Sequence, residues 1–263
     1  MKILVEFDNI ASSSKFSYMK NIIHSHSFDS IDFIIQYCAE KNINIILPYR
    51  LNTIFMLTDN KSKLAENKIG LLLPEITVLN IFNDKKLFID FMKESNLENY
   101  VPKCYSKDHI IYPCIAKKRI SDFGRDTFVA YKEKHLNKLN MDDYLIQEPI
   151  YGNNEYTTHI LAKDGNIILD KTFIYDYNVN IYIQGYQRLG SCQEISISKI
   201  ALKIFSEIIK KTNYSGFCCI DYKLIDNSPI IFEINPRIGG SLTRNKDVHL
   251  KFILAYSDLS IFL

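Results

Sequence analysis

The feature that most restricts how this chain can fold is the pair of segments GFCCIDYKL (216–224) and PIIFEI (229–234), separated by the turn sequence IDNSP. Two strand-forming apolar runs around so short a turn read as a hairpin. The second run continues as IIFEINPRIGGS (230–241) and carries Glu233, Asn235 and Arg237 at every other position. Alternation in a strand sends those three side chains to one face and Phe232 and Ile234 to the other. An unpaired carboxylate on a buried face is costly, so these groups require partners. Asp221, on the first strand, would stand near Glu233 or Asn235 across the hairpin. Two carboxylates and an amide oxygen on one sheet face form an oxygen-rich site suited to Mg²⁺ (or Mn²⁺), and Arg237 beside them suits a phosphoryl group. The plain alternative is an exposed sheet face carrying a surface salt bridge.

The rest of the chain alternates strands and helices. MKILVEF (1–7) reads as a strand, IDFIIQYCAEK (31–41) as a helix and NINIILPY (42–49) as a second strand, a small α/β unit with parallel strands. It has no glycine before Gly70, so it lacks the GxGxxG turn of a dinucleotide fold and reads as a structural or substrate-side unit. DKKLFIDFMKES (84–95) predicts a helix capped by Asn83 or Asp84, with Leu87, Phe88, Phe91 and Met92 on one face. Short strands follow at YPCIAKK (112–118), TFVAY (127–131), YLIQEPI (144–150), EYTTHILA (155–162) and DGNIILDKTFIYD (164–176). ISISKIALKIFSEIIKKT (195–212) is the clearest amphipathic helix, with Lys210 and Lys211 at the negative end of its dipole.

Composition excludes more than it assigns. In 263 residues the net charge is +2, so nothing favours nucleic acid or an anionic membrane as partner. No window approaches the apolar length of a membrane span, and Glu6 and Asp8 interrupt any leader, so the expectation is a cytoplasmic protein. The six cysteines show no ligand spacing and read as reduced thiols, and His24 and His26 in HSHS as a polar loop.

The segment GFCCIDYKLIDNSPIIFEINPRIGGS resembles the metal-binding end of the ATP-grasp superfamily, carbamoyl-phosphate-synthase-large-chain-like and pyrrolysine-biosynthesis-ligase-like carboxylate–amine ligases in particular. The resemblance runs from about residue 84 to 241. It implies an α/β (α+β) ATP-grasp fold, with a short N-terminal α/β domain over 1–83 and the ATP-grasp domain over 84–263, including a small lid subdomain at about 110–147. By that resemblance Asp221, Glu233 and Asn235 hold magnesium and Arg237 contacts the terminal phosphate. YPCIAKK resembles the family's lysine strand, which gives Lys117 the α- and β-phosphates. YLIQEPIYGNNE resembles its hinge, with the Glu148 and Ile150 backbone at the adenine, Gln147 lining that edge and Glu155 at the ribose hydroxyls.

The lid loop between Lys117 and Thr127, usually glycine-rich in this family, holds only Gly124, and Arg119 and Arg125 are candidates to meet phosphates instead. Gln147 stands where the family often has glutamate. Arg188 and Arg244 are candidates for a substrate carboxylate, and the backbone at Gly239 and Gly240 for an oxyanion. The implied activity is ADP-forming ligation of a small carboxylate, such as an amino acid, to an amine or thiol through an acylphosphate, with ATP and Mg²⁺ as cofactors. A nucleotide-binding regulatory or degenerate subunit is the alternative, as is a carbamoyl-phosphate-using or kinase-like member. A short chain also leaves room for a homodimer that completes the substrate side.

Overall fold

The structure is a computed structural model that describes residues 2–6, 22–25, 30–121, 124–177, 179–181 and 191–260. Strands β1 (Ile3–Glu6), β2 (Ile22–Ser25) and β3 (Ile45–Leu47) form a parallel sheet in the order β2-β1-β3. His24 thus lies in a strand and not in a polar loop, while His26 falls outside the described residues. Helix α1 (Ile31–Lys41) is capped by Ser30, whose side chain accepts from the Phe33 N–H, and ends at Asn42 in the left-handed conformation.

Helices α2 (Leu51–Asp59), α3 (Lys61–Glu66) and α4 (Ile76–Asn83) lead to α5 (Lys85–Glu94). Asp84 caps α5 by accepting from the Lys86 N–H at 2.8 Å. The buried face of α5 is Lys85, Phe88, Ile89 and Met92. Leu87, expected on that face, is 40% exposed, because the stripe is turned toward Ile89.

Strands β4 (Cys114–Lys118), β5 (Thr127–Ala130) and β6 (Tyr144–Gln147) form a small antiparallel sheet in the order β5-β4-β6, over a cluster of Cys114, Ala116, Ala130, Leu136 and Ile146. The largest sheet contains β7 (Asn154–Lys163), β8 (Asn166–Asp176), β9 (Ser191–Ile195), β10 (Gly216–Ile225) and β11 (Ser228–Asn235), in the order β11-β10-β7-β8-β9. Helix α6 (Lys199–Lys211) starts four residues later than the amphipathic pattern suggested, because Ser191–Ile195 is used as β9 and Ser198 takes the cap.

The predicted hairpin is present. Asp226 and Asn227 both take positive φ, 49° and 65°, as a two-residue turn between right-twisted strands requires. Cys218, Ile220 and Tyr222 of β10 enter one core with Phe88, Phe205, Ile208, Ile231 and Ile234. Phe217 enters a second core, which also contains Ile3 and Leu47 of the parallel sheet and Phe252, Ile253 and Tyr256 of helix α7 (Lys246–Ser260). The large sheet is therefore covered on both faces, and the polar residues left on the Phe217 face, Asp221 and Lys223, gather at the far end of β10. Among the described residues no helix is long and apolar enough to cross a membrane.

Tyr256 ties α7 to the N-terminal segment. Its hydroxyl donates to the Ile46 carbonyl at 2.9 Å and accepts from the Leu72 N–H at 3.0 Å, with the ring fully buried. Tyr256→Phe keeps the ring but strands both backbone groups, and should lower the unfolding free energy by about 2 kcal/mol. Urea denaturation of the variant beside the parent measures this.

Candidate active site

The site is built on β10 and β11 and on what they face. The ladder aligns Asp221 with Glu233, then slips by one residue so that Tyr222 aligns with Ile231. Phe232 is the extra residue of this bulge. Strict alternation would bury Phe232 opposite Glu233; instead both line one cleft, while Ile231 and Ile234 remain in the core. The bulge corrects the expected facing of Phe232 and supplies an aromatic wall.

Asp221, Glu233 and Asn235 do converge. The Asn235 amide nitrogen lies 3.2 Å from Asp221 Oδ2 and 3.1 Å from Glu233 Oε1. Asp221 Oδ1 accepts from the Thr157 hydroxyl at 2.5 Å. Lys85 Nζ sits 3.2 Å from Glu233 Oε2, and Lys117 Nζ lies 4.7 Å from the centre of the Phe232 ring. The two carboxyls divide the proton affinity. Burial and the neighbouring Glu233 charge push Asp221 up to about 7. Glu233 is half-buried, and the Lys85 ammonium, the Asn235 amide and Lys117 together outweigh its desolvation and hold it below the usual carboxylate range. Burial also lowers the Lys117 ammonium against the pull of Glu233.

This donor set fits a hard cation. Two carboxylates and an amide that presents its oxygen after a flip suit Mg²⁺, which completes its shell with water and phosphate oxygens. Among the described residues no group of three or more His, Cys, Asp or Glu is placed to hold a metal ion.

The cleft runs from these carboxylates to the segment after β6. Pro102, Ile115, Ile150, Ile181 and Phe232 give it apolar walls, and Lys85, Lys117, Gly124, Gln147, Glu148 and Glu155 complete it. Gln147, 2% exposed, donates its amide to Cys104 Sγ at 3.5 Å. Glu148 is pinned on both sides: its N–H donates to the Lys103 carbonyl at 3.0 Å and its carboxylate accepts from the Lys103 N–H at 2.9 Å. The Glu148 carbonyl and the Ile150 N–H are left without a hydrogen-bond partner among the described residues. Gly124, the single lid glycine, takes φ of +67° and faces the cleft. Burial and the Asp221 charge push Glu155 up to about 8.

Other expected residues lie elsewhere. Arg119 does not face the cleft as a phosphate contact: its guanidinium is paired with Asp84, at 2.7 Å and 3.2 Å, and donates to the Asp142 carbonyl. A bidentate carboxylate offers that cation a stronger hold than water, so Arg119 pins the loop after β4 to the start of α5. Arg237 lies beyond the end of β11 and lines a smaller apolar recess with Pro48, Leu72, Phe217 and Tyr256, although its charge still acts on Asp221. Gly239 is set by packing, since an added Cβ would meet His159 Cε1 at 2.6 Å and Cys219 Sγ at 2.9 Å. Gly240 is exposed and open. Arg244 lies 5.9 Å from the Tyr175 ring, and Arg188 falls outside the described residues.

Two cations were missed in the sequence. Lys85 occupies the first position of a helix, where the dipole disfavours a cation, and that mismatch was the available signal. Lys223 stands two residues after Asp221, so simple alternation already placed it on the same face.

The shifted carboxyls make stability depend on pH. Unfolded Asp and Glu titrate near ~4, whereas Glu155 and Asp221 titrate at about 8 and about 7 in the fold. As pH falls through that range the folded state takes up protons that the unfolded state does not, and stability rises. The nucleotide-free protein should be more stable at pH ~6.5 than at pH ~8.5 by about 2 kcal/mol. Glu155→Gln should keep only the smaller share due to Asp221, which denaturant titrations at the two pH values will show.

Comparison with known proteins agrees with this geometry. Residues 82–241 match the ATP-grasp domain family. The L-amino acid ligase of Bacillus licheniformis superposes with a TM-score of 0.69 at 14% identity, over 99% of this chain and 74% of that one. D-alanine–D-alanine ligase of Bacillus anthracis gives 0.63 at 15% identity, over 98% and 97%. N5-carboxyaminoimidazole ribonucleotide synthetase of Thermotoga maritima gives 0.58 at 14%, over 91% and 69%. At these identities the likeness is one of fold. An uncharacterized protein of Methanocaldococcus jannaschii is 34% identical over 106 residues, which span 39% of this chain and 26% of that relative's length. With its paired strands, cleft and family match over residues 82–241, the chain belongs to the ATP-grasp family.

Proposed function

We propose that this protein is an ATP-dependent, ADP-forming ligase that activates a small-molecule carboxylate as an acylphosphate and transfers the acyl group to an amine or thiol. The observation that carries the reading is the meeting, in one cleft, of three lysines, a carboxylate pair bridged by an amide, and a backbone edge whose carbonyl and N–H have no hydrogen-bond partner among the described residues. That edge matches a 6-aminopurine. The exocyclic amine donates to the Glu148 carbonyl, ring nitrogen N1 accepts from the Ile150 N–H, and the apolar walls sandwich the ring. In this reading Glu155 takes the ribose hydroxyls, and Lys117 and Lys85 the phosphates.

Asp221, Glu233 and Asn235 would hold Mg²⁺, which neutralises phosphate charge and aligns the terminal phosphoryl group when bound. The Glu233 carboxylate, kept ionised by Lys85, is ready to ligate without giving up a proton. In the first step a carboxylate oxygen of the substrate attacks the γ-phosphorus and the bond to the β-phosphate oxygen breaks, releasing ADP. In the second, the amine or thiol attacks the acyl carbon and inorganic phosphate leaves. The chain contributes charge neutralisation and alignment, the two effects that govern phosphoryl transfer. Two of the structural relatives are amino acid ligases by name, which supports an amino acid as one substrate. Arg244, near the GGS turn, is the candidate for its carboxylate among the described residues.

ADP and phosphate release across a matrix of amino acids, small carboxylates and amines, with mass spectrometry of each productive pair, tests the activity. Binding of Mg·ATP with no release for any pair would instead favour a regulatory nucleotide-binding subunit. For the productive pair, Glu233→Gln should cut turnover by at least about a hundredfold, because it removes metal charge where phosphoryl transfer needs it. Circular dichroism should show the fold retained. Rates close to those of the parent at saturating magnesium would remove Glu233 from the site.

A further inference from the structure

Lys223 is a buried cation that the reaction as described leaves unused. It is 3% exposed, on the Asp221 face of β10. Its ammonium donates to three main-chain carbonyls, those of Ile150 at 3.0 Å, Gly152 at 2.7 Å and Asn180 at 3.4 Å. An ammonium has three N–H donors, so this arrangement saturates it. The Asn180 carbonyl also accepts from the Gly152 N–H at 3.0 Å, and Gly152 takes φ of +133°, a backbone shape that other residues rarely adopt. The three carbonyls therefore close around one side chain.

Two of the three belong to the segment between β6 and β7, whose other main-chain ties are the Gly152 N–H to the Asn180 carbonyl and, at its far end, the Tyr177 N–H to the Asn153 carbonyl at 3.0 Å. β6 ends at Gln147 and β7 begins at Asn154, so residues 148–153 lie outside both strand ladders. At its start the Glu148 N–H is fixed by the Lys103 carbonyl, and Pro149 fixes its own φ. At its end the peptide planes after Ile150 and Gly152 are fixed by Lys223. Between these two anchors lie the Glu148 carbonyl and the Ile150 N–H, which have no hydrogen-bond partner among the described residues and belong to residues that line the cleft. A bond as directional as N–H to a ring nitrogen weakens steeply when the donor plane rotates.

We infer that Lys223 is the positioning residue of the base-reading edge: by clamping the Ile150 and Gly152 carbonyls it presets the Ile150 N–H and the Glu148 carbonyl for a 6-aminopurine. The inference rests on the adenine reading proposed above. It separates two ends of the nucleotide site, since Lys223 sets recognition of the base while Lys85 and Lys117 meet the phosphates. A lysine serving only to satisfy buried carbonyls would change stability and leave base preference alone.

Calorimetric titration of Lys223→Met, Lys223→Gln and the parent with Mg·ATP, Mg·ITP and Mg·tripolyphosphate distinguishes these roles. ITP carries a 6-keto group and a protonated N1, the reverse of the donor and acceptor order that the edge reads. The parent should favour ATP over ITP by at least about tenfold, the worth of one well-placed hydrogen bond. In Lys223→Met the preference should collapse to within about threefold, while tripolyphosphate affinity stays within about threefold of the parent. Lys223→Gln, which keeps two donors, should fall between. Undiminished preference in either variant overturns the inference, as does a loss of tripolyphosphate affinity parallel to that of ATP. If Lys223→Met does not fold, Lys223→Gln alone decides; if neither folds, the lysine is structural and the inference fails. A parent that binds Mg·ATP and Mg·ITP equally would instead refute the adenine reading, and with it any base-reading role for Lys223.

Discussion

The contact on which the rest of the site depends is the bridge that Asn235 makes between Asp221 and Glu233. Two carboxylates facing each other across neighbouring strands repel, and in a buried position neither is well solvated. The fold answers with unequal environments. Glu233 receives Lys85 and stays ionised, while at Asp221 burial and the Glu233 charge outweigh the Thr157 hydroxyl and push it toward the protonated form. A divalent cation between them would replace the repulsion with two attractions. The carboxylate pair is thus electrostatically strained in a way that a divalent cation would relieve.

That strain is tolerated because the surroundings are stiff. β10 is flanked by β11 and β7, and apolar side chains cover both faces of the sheet that contains it. Asp221 and Lys223 sit at the end of β10 away from Phe217, where apolar packing gives way to the cleft. Lys85 reaches Glu233 from α5, whose buried Phe88, Ile89 and Met92 lock it against the other side of the same core. The cations and carboxylates therefore come from separately packed elements, and their spacing is set by the core. The loop after β4 is attached to the same helix through Arg119 and Asp84, so the position of α5 governs two parts of the cleft together.

Local pattern carried much of this. The β10–β11 hairpin was legible because two strand-forming runs flank a two-residue turn of Asp and Asn, residues that tolerate positive φ. The meeting of Asp221, Glu233 and Asn235 followed from side-chain alternation across that turn, and the ordered resemblance upstream brought in Lys117, Gln147, Glu148, Ile150 and Glu155, all of which line the cleft or its edge. The parallel pairing of the N-terminal strands β1 and β3 followed from the strand–helix–strand succession. Helices α2 to α4 and α7 escaped notice, since their apolar faces are short and are completed only by neighbouring elements.

What the sequence determined, then, were features that depend on residues close along the chain: the hairpin, the cap of α5 and the acidic set on one strand face. Tertiary structure alone decided which distant cation meets which carboxylate. Nothing in DKK said that Lys85 would face Glu233, nor that Arg119 would be taken up by Asp84 and leave the cleft. A bulge at one ladder step moved Phe232 to the site, because the slip depends on how β11 fits a partner strand and not on its own alternation. Lys223 found three carbonyls that come from segments over forty residues away. Charge pairing and backbone satisfaction at such separations depend on where packed elements come to rest, and only the folded core sets that.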